Sequence, residues 1–210
     1  MKGLIDPNSK LFALLTKVAL LMELNVLVVL CCLPVVTIGA TMCSMHAVML
    51  KIYRNEEKKV AADFFAAMKS NLKNGTVLWL LFLAYLGVLA TIGIVATQAI
   101  PNGAVFILFS LALAMLIGLL CLNWALILQS RYVYTVGQCL ANALLAWIKY
   151  PGSTFVYLIS FATPLLLCLS IKLWPIVVML GITLPHFMST TLYSRVFDDM
   201  EGVPMTLPKL

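Results

Sequence analysis

Apolar positions along this chain fall into long runs separated by short polar stretches. Leu11 to Leu33 is apolar apart from Thr16, Lys17, Glu23 and Asn25, and it ends at Pro34, whose missing N–H disfavours helix in the residue before it. A second run, Val35 to Tyr53, follows at once. Each is about 20 residues, enough for a helix to cross a hydrocarbon core about 30 Å thick. Pro34 to Gly39 is then either a turn between two crossings or a kink within one broken segment. Two more runs, Thr76–Ile100 and Ala104–Leu128, are joined by Pro101-Asn102-Gly103. A connection that short predicts an antiparallel hairpin. The last pair, Ser153–Ile171 and Trp174–Tyr193, meets at a tight Lys172–Pro175 corner.

Between the runs lie two amphipathic stretches. In Lys51–Asn74, Val60, Phe64, Phe65, Met68 and Leu72 recur at helical spacing, with Asp63, Ser70, Asn71 and Lys73 on the other side. In Arg131–Tyr150 the apolar stripe is Val133, Val136, Leu140, Leu144 and Trp147. Both read as interfacial helices, each ending at a glycine that opens the next run. That shared plan raises the question of an internal duplication, common in transporter folds. The polar tail from Arg195, with Asp198, Asp199 and Glu201, is expected to fray. The expected fold is a single all-α domain over residues 1–210, a polytopic transmembrane bundle. It has about six membrane segments, or alternatively five, plus two cytoplasmic interfacial amphipathic helices.

Composition agrees with the pattern. Of 210 residues 63% are hydrophobic and 10% charged, with a mean hydropathy of +1.05. Soluble domains carry about 25% charged residues, so this chain lacks the polar surface for a water-facing globule. The net charge of +6 does not imply nucleic acid, because the basic residues lie between apolar runs. Positive-inside placement explains them. It puts 51–74, 131–150 and the tail in the cytoplasm, and Lys2, Lys10 and Lys17 put the N-terminus there too. An even number of crossings follows, hence six rather than five. Lys17 and Glu23, with no convincing small-residue cleavage site, argue against a signal peptide in the first run.

Candidate chemistry is sparse. The six cysteines show no C-x-x-C spacing and read as small apolar packers. Met42-Cys43-Ser44-Met45-His46, after Cys31-Cys32, has the soft donors of a copper(I) site, yet Met and Cys are ordinary transmembrane packers and no metal or other cofactor is expected. His186, after Leu184-Pro185, is expected to bond a neighbouring carbonyl. No hydrolase elbow, phosphate loop or H-E-x-x-H motif occurs, so an enzyme is not expected. Glu23 and Asn25 stand out, because an unpaired carboxylate in hydrocarbon costs several kcal/mol. The structural reading pairs Glu23 with a basic residue at a cytoplasmic helix end, such as Arg131 or Arg195. The functional one puts Glu23, Asn25 and Asn123 on a transport path. Around Pro34, the expectation is a packed turn in which Gly39 allows close helix approach and the Thr37 hydroxyl caps the second segment.

Asp6-Pro7-Asn8-Ser9-Lys10-Leu11-Phe12, Asn25, Leu33-Pro34-Val35-Val36-Thr37-Ile38-Gly39-Ala40 and Asp63-Phe64-Phe65 with Lys69 and Asn71 together resemble the YesL-like family of bacterial membrane proteins. The resemblance covers nearly the whole chain and is most specific in the first 75 residues. It implies a bacterial inner-membrane protein linked to carbohydrate import beside ABC transporter components, and it supplies no mechanism or catalytic residues. Two functions are weighed. An accessory or assembly subunit would use the lipid bilayer and sugar ABC transporter permease subunits as its partners, whereas a small transporter or channel would need its own polar path. No crossing run has a row of hydrogen-bonding groups at one depth, which favours the first.

Overall fold

The structure is a computed structural model, and it describes residues 10–100, 103–168, 175 and 177–202. Among them there are helices and no strand. In chain order these are α1 (Lys10–Cys32), a 3-10 turn (Val35–Thr37), α2 (Ile38–Arg54), α3 (Val60–Ala99), α4 (Ala104–Arg131), α5 (Val136–Lys149) and α6 (Pro151–Cys168). A π turn (Val177–Gly181) then leads into α7 (Thr183–Glu201). Four helical stretches among the described residues, Leu11–Cys32, Val35–Arg54, Val60–Ala99 and Ala104–Arg131, are long and apolar enough to cross a membrane. They mark the chain as a membrane protein. The Lys172–Trp174 part of the last corner and the Pro101-Asn102 turn lie outside the described residues, as does the Asp6–Ser9 part of the N-terminal motif.

The first two runs form a hairpin. Leu21, Leu24 and Val28 of α1 share one apolar cluster with Met45, Val48, Met49 and Ile52 of α2, and Val60 and Phe64 of α3 close it. A single kinked segment would not fold those residues together, so Pro34 marks a reversal of the chain.

The polar stretch 51–74 is not a helix of its own. Its first residues end α2, which stops at Asn55 in the left-handed conformation (φ 55°), a geometry asparagine tolerates. From Val60 it runs without a break into the next apolar run as one helix of 40 residues, about 60 Å at 1.5 Å per residue. That is twice the hydrocarbon thickness, so its polar N-terminal third projects beyond the span. The expected break at Gly75 does not occur. A glycine inside a helix weakens it by only about 1 kcal/mol, and here it has a packing role with Gly39.

The second amphipathic stretch is a separate helix, α5, so the two stretches do not share the plan that suggested duplication. Thr135 and Gln138 form a capping box at its start. Its buried face is the small set Cys139, Ala143 and Ala146, close enough to α4 for the Cys139 thiol to reach Ala125 O at 3.1 Å. Leu144, part of the apolar stripe of the expected interfacial helix, is exposed with Leu145 and Ile148. The small residues win because they let two helix backbones approach. Around them the main core joins Trp124, Ile127 and Leu128 of α4 to Tyr157 of α6 and Tyr193 and Phe197 of α7. Trp124 sits at its centre, its indole N–H donating to Thr154 Oγ1 at 2.8 Å.

Candidate functional site

Glu23 and Asn25 are two residues apart and point in opposite directions. Asn25 is fully buried, and its Oδ1 accepts the backbone N–H groups of Ile182 (3.1 Å) and Thr183 (2.9 Å). Those donors lie where the π turn gives way to α7. Thr183 Oγ1 donates back to Leu21 O at 3.0 Å. Side chains of α1 therefore satisfy an irregular backbone inside the bundle, a requirement wherever water is excluded.

Glu23 is exposed on the outer face of α1 and makes none of the protein's ion pairs among the described residues. The expected pairing with Arg131 or Arg195 does not form. Arg131 instead holds Glu201, with Nε to Oε1 at 3.1 Å and Nη2 to Oε2 at 3.3 Å. The reason is local: Glu201 lies at the end of α7, beside the end of α4, while Glu23 faces away from the bundle.

The turn after Pro34 works differently from the expectation at one residue. Thr37 does not cap α2 through its side chain. Its hydroxyl donates to Cys31 O and to Pro34 O, both at 2.8 Å, and Thr41 Oγ1 also reaches Cys31 O at 3.2 Å. These hydroxyls thus serve the carbonyls freed where α1 ends. Gly39 meets α3 directly. A Cβ there would overlap the Gly75 carbonyl oxygen and lie 2.7 Å from Trp79 Cβ, and a Cβ on Gly75 would lie 2.8 Å from Ala40 Cα. Here two helix backbones touch.

Asn123 lies elsewhere. It lines a small internal cavity between α2, α4, α6 and α7 together with Met42, His46 and His186. His186 Nδ1 is 2.9 Å from Ile182 O, the carbonyl partner expected of it, and the His46 and His186 rings lie 5.5 Å apart. Asn123 Oδ1 and His46 Nδ1 are buried with no hydrogen-bond partner among the described residues. Glu23, Asn25 and Asn123 accordingly do not line one path.

At the end of the bundle where α2, α4, α5 and α7 terminate, the last turn of α7 acts as a clasp. Asp198 takes Arg54 of α2 (2.7 Å), Asp199 takes Lys149 of α5 (2.9 Å), and Glu201 takes Arg131 of α4. Tyr132 and Tyr150 donate hydroxyls to Glu201 and Asp199. The tail is thus ordered as helix through Glu201, since three acids at a helix C-terminus oppose its dipole unless cations cover them. Lys51 and Asp63 (2.6 Å) close the neighbouring α2–α3 corner. The hydrogen bond from Arg131 holds Glu201 below its ordinary pKa of 4.5, and those from Tyr150 and then Lys149 do the same for Asp199.

Residues 19–91 match a family model described as a protein of unknown function, DUF624. No curated protein and no solved structure matches the chain. The DUF624 match takes in most of α1, all of α2 and α3 to within three turns of its end, and therefore Glu23, Asn25, Pro34, Thr37, Gly39 and His46. Asn123, Arg131 and His186 lie beyond it. Sequence reasoning had no way to find Gly75 as Gly39's partner, or His186 as His46's, because each pair is joined only by the fold. The acids of α7 carried a signal: three carboxylates in four residues, close to a surplus of unpaired cations.

Proposed function

We propose that the protein is an accessory or assembly subunit of the bacterial inner membrane that docks beside the permease of a sugar ABC importer. In this reading the chain is YesL-like, crosses the membrane about six times and keeps both termini in the cytoplasm, α6 and α7 belonging to the last two crossings. The link to carbohydrate rests on the family resemblance of the N-terminal motifs.

One observation carries the docking role. Glu23 sits near mid-length of an apolar span and faces outward, in none of the ion pairs among the described residues. A carboxylate facing lipid costs several kcal/mol, and a partner helix bringing a Lys, Arg or hydrogen-bond donor to that depth removes the cost. A transport path is less well supported. A groove of about 670 Å³ between the second half of α3 and the first half of α4 has Thr97 as its one polar lining side chain. That hydroxyl already bonds Gly93 O.

The test is a photo-crosslinker at Val26, exposed one turn from Glu23 on the same face, in cells growing on a sugar taken up by such an importer. Crosslinks to a permease subunit, lost in Glu23→Gln, are expected. Crosslinks to lipid alone, or ones unchanged by that substitution, overturn the proposal.

A further inference from the structure

The cavity between α2, α4, α6 and α7 measures about 10 Å³, space for one water or one ion. Its polar lining is Met42, His46, Asn123 and His186, and the rest is apolar, including Leu119 and Phe161. Two buried atoms of that lining, His46 Nδ1 and Asn123 Oδ1, have no hydrogen-bond partner among the described residues, with His46 3% exposed and Asn123 9%. Buried polar atoms are rarely left so, and an unpaired one calls for an occupant.

The chemistry of the lining narrows the choice. A carbonyl only accepts, so the contact of His186 Nδ1 with Ile182 O places the proton on Nδ1 and leaves the Nε2 lone pair free. A backbone partner on one ring nitrogen is the arrangement that orients a histidine for a metal on the other. The ring centroids of His46 and His186 are 5.5 Å apart and the planes are inclined by 53°. Two imidazoles sharing one ion at about 2.0 Å per metal–nitrogen bond have centroids about 5–6 Å apart. Met42 adds a thioether and Asn123 an amide oxygen. No carboxylate or thiolate lines the cavity, so the ligand set is neutral. A doubly charged ion in such a dry, uncompensated site bears a much larger desolvation penalty than a singly charged one. Imidazole with thioether, and a single charge, select copper(I).

We propose that His46, His186 and Met42, with the Asn123 amide oxygen beside them, form a binding site for one Cu(I) ion. The site ties α2 to α4 and α7 through their side chains and is independent of the docking role of Glu23.

The test uses purified protein in detergent, its reactive thiols alkylated, titrated with Cu(I) against a competing chelator. One equivalent should be retained, and X-ray absorption should show two imidazole nitrogens and one sulfur. Met42→Leu, nearly isosteric, should keep the metal-free melting temperature, lose the sulfur signal and weaken binding by at least the ~10-fold that even a ligand's supporting partner is worth. His46→Gln should abolish the equivalent. Failure of the wild type to compete with the chelator, an all-sulfur signal from cysteines, or equal affinity in wild type and Met42→Leu overturns the site and leaves the cavity to water.

Discussion

Asn25 shows how one side chain can hold an irregular backbone together. Its Oδ1 accepts from two N–H groups at the start of α7, and removing it takes a partner from the buried Thr183 N–H and the half-buried Ile182 N–H. A buried group left unsatisfied costs about 1–3 kcal/mol. Asn25→Leu should therefore lower the stability of the purified protein by about 1–3 kcal/mol, which thermal unfolding in detergent measures. Glu23 makes the opposite case. With no ion pair among the described residues to break, and with the charge of an outward carboxylate removed, Glu23→Gln should not lower the stability of the purified protein. A clear loss of melting temperature in that variant would mean that the carboxylate is held within the bundle after all.

At the scale of elements, the α2–α3 crossing is a contact of backbone on backbone. Gly39 and Gly75 leave no space for even a methyl group, the obstacles being a carbonyl oxygen and backbone carbons that cannot swing aside. Gly39→Ala should cost about 2 kcal/mol or more by overpacking, with Gly75→Ala similar. The double variant should then cost less than the sum of the two, since either methyl alone already forces the helices apart, and a double-variant cycle of melting temperatures measures this. The sequence marked Gly39 because it follows Pro34 in a turn, and it marked the apolar runs because their length matches a bilayer. It misread Gly75, since a glycine that ends a helix and one that touches another helix look alike in one dimension. The face that α5 packs against α4 was not legible for a related reason: periodicity counts large apolar residues, whereas close helix packing favours small ones such as Ala143 and Ala146. The Thr37 hydroxyl was assigned to the helix that follows it, and it serves the carbonyls of the helix that precedes it.

Over the whole molecule, charge is arranged in two ways, and each leads to a measurement. The first is the clasp of α7. Glu201 and Asp199 are held below their ordinary pKa values, 4.5 and 3.8, by hydrogen bonds and cations that the unfolded chain lacks. A carboxylate with a depressed folded pKa stabilises the fold above its unfolded value, and that contribution is lost as pH falls through the folded value. Stability should accordingly be flat down to about pH 5 in this respect and decline below about 4.5, and Glu201→Gln should flatten part of that decline. The second is the asymmetry of lysines. Lys58, Lys59, Lys69 and Lys73 cluster at the start of α3, while Pro101-Asn102-Gly103, just past its end, carries no charge. From Ser70 to the end of α3 at Ala99 is about 45 Å along the axis, more than the hydrocarbon core, so the two ends lie on opposite sides of the membrane. The positive-inside rule assigns the lysine end to the cytoplasm. Cysteines at Ser70 and Gly103 decide the orientation against the wild-type chain as background. Ser70 is exposed, and a Cβ on Gly103 meets little beyond the flexible Ile100 side chain, so both changes should be tolerated. In intact cells a membrane-impermeant maleimide should label Gly103→Cys and reach Ser70→Cys only after permeabilisation. The reverse pattern would turn the molecule over, placing the clasp outside the cell and both termini with it.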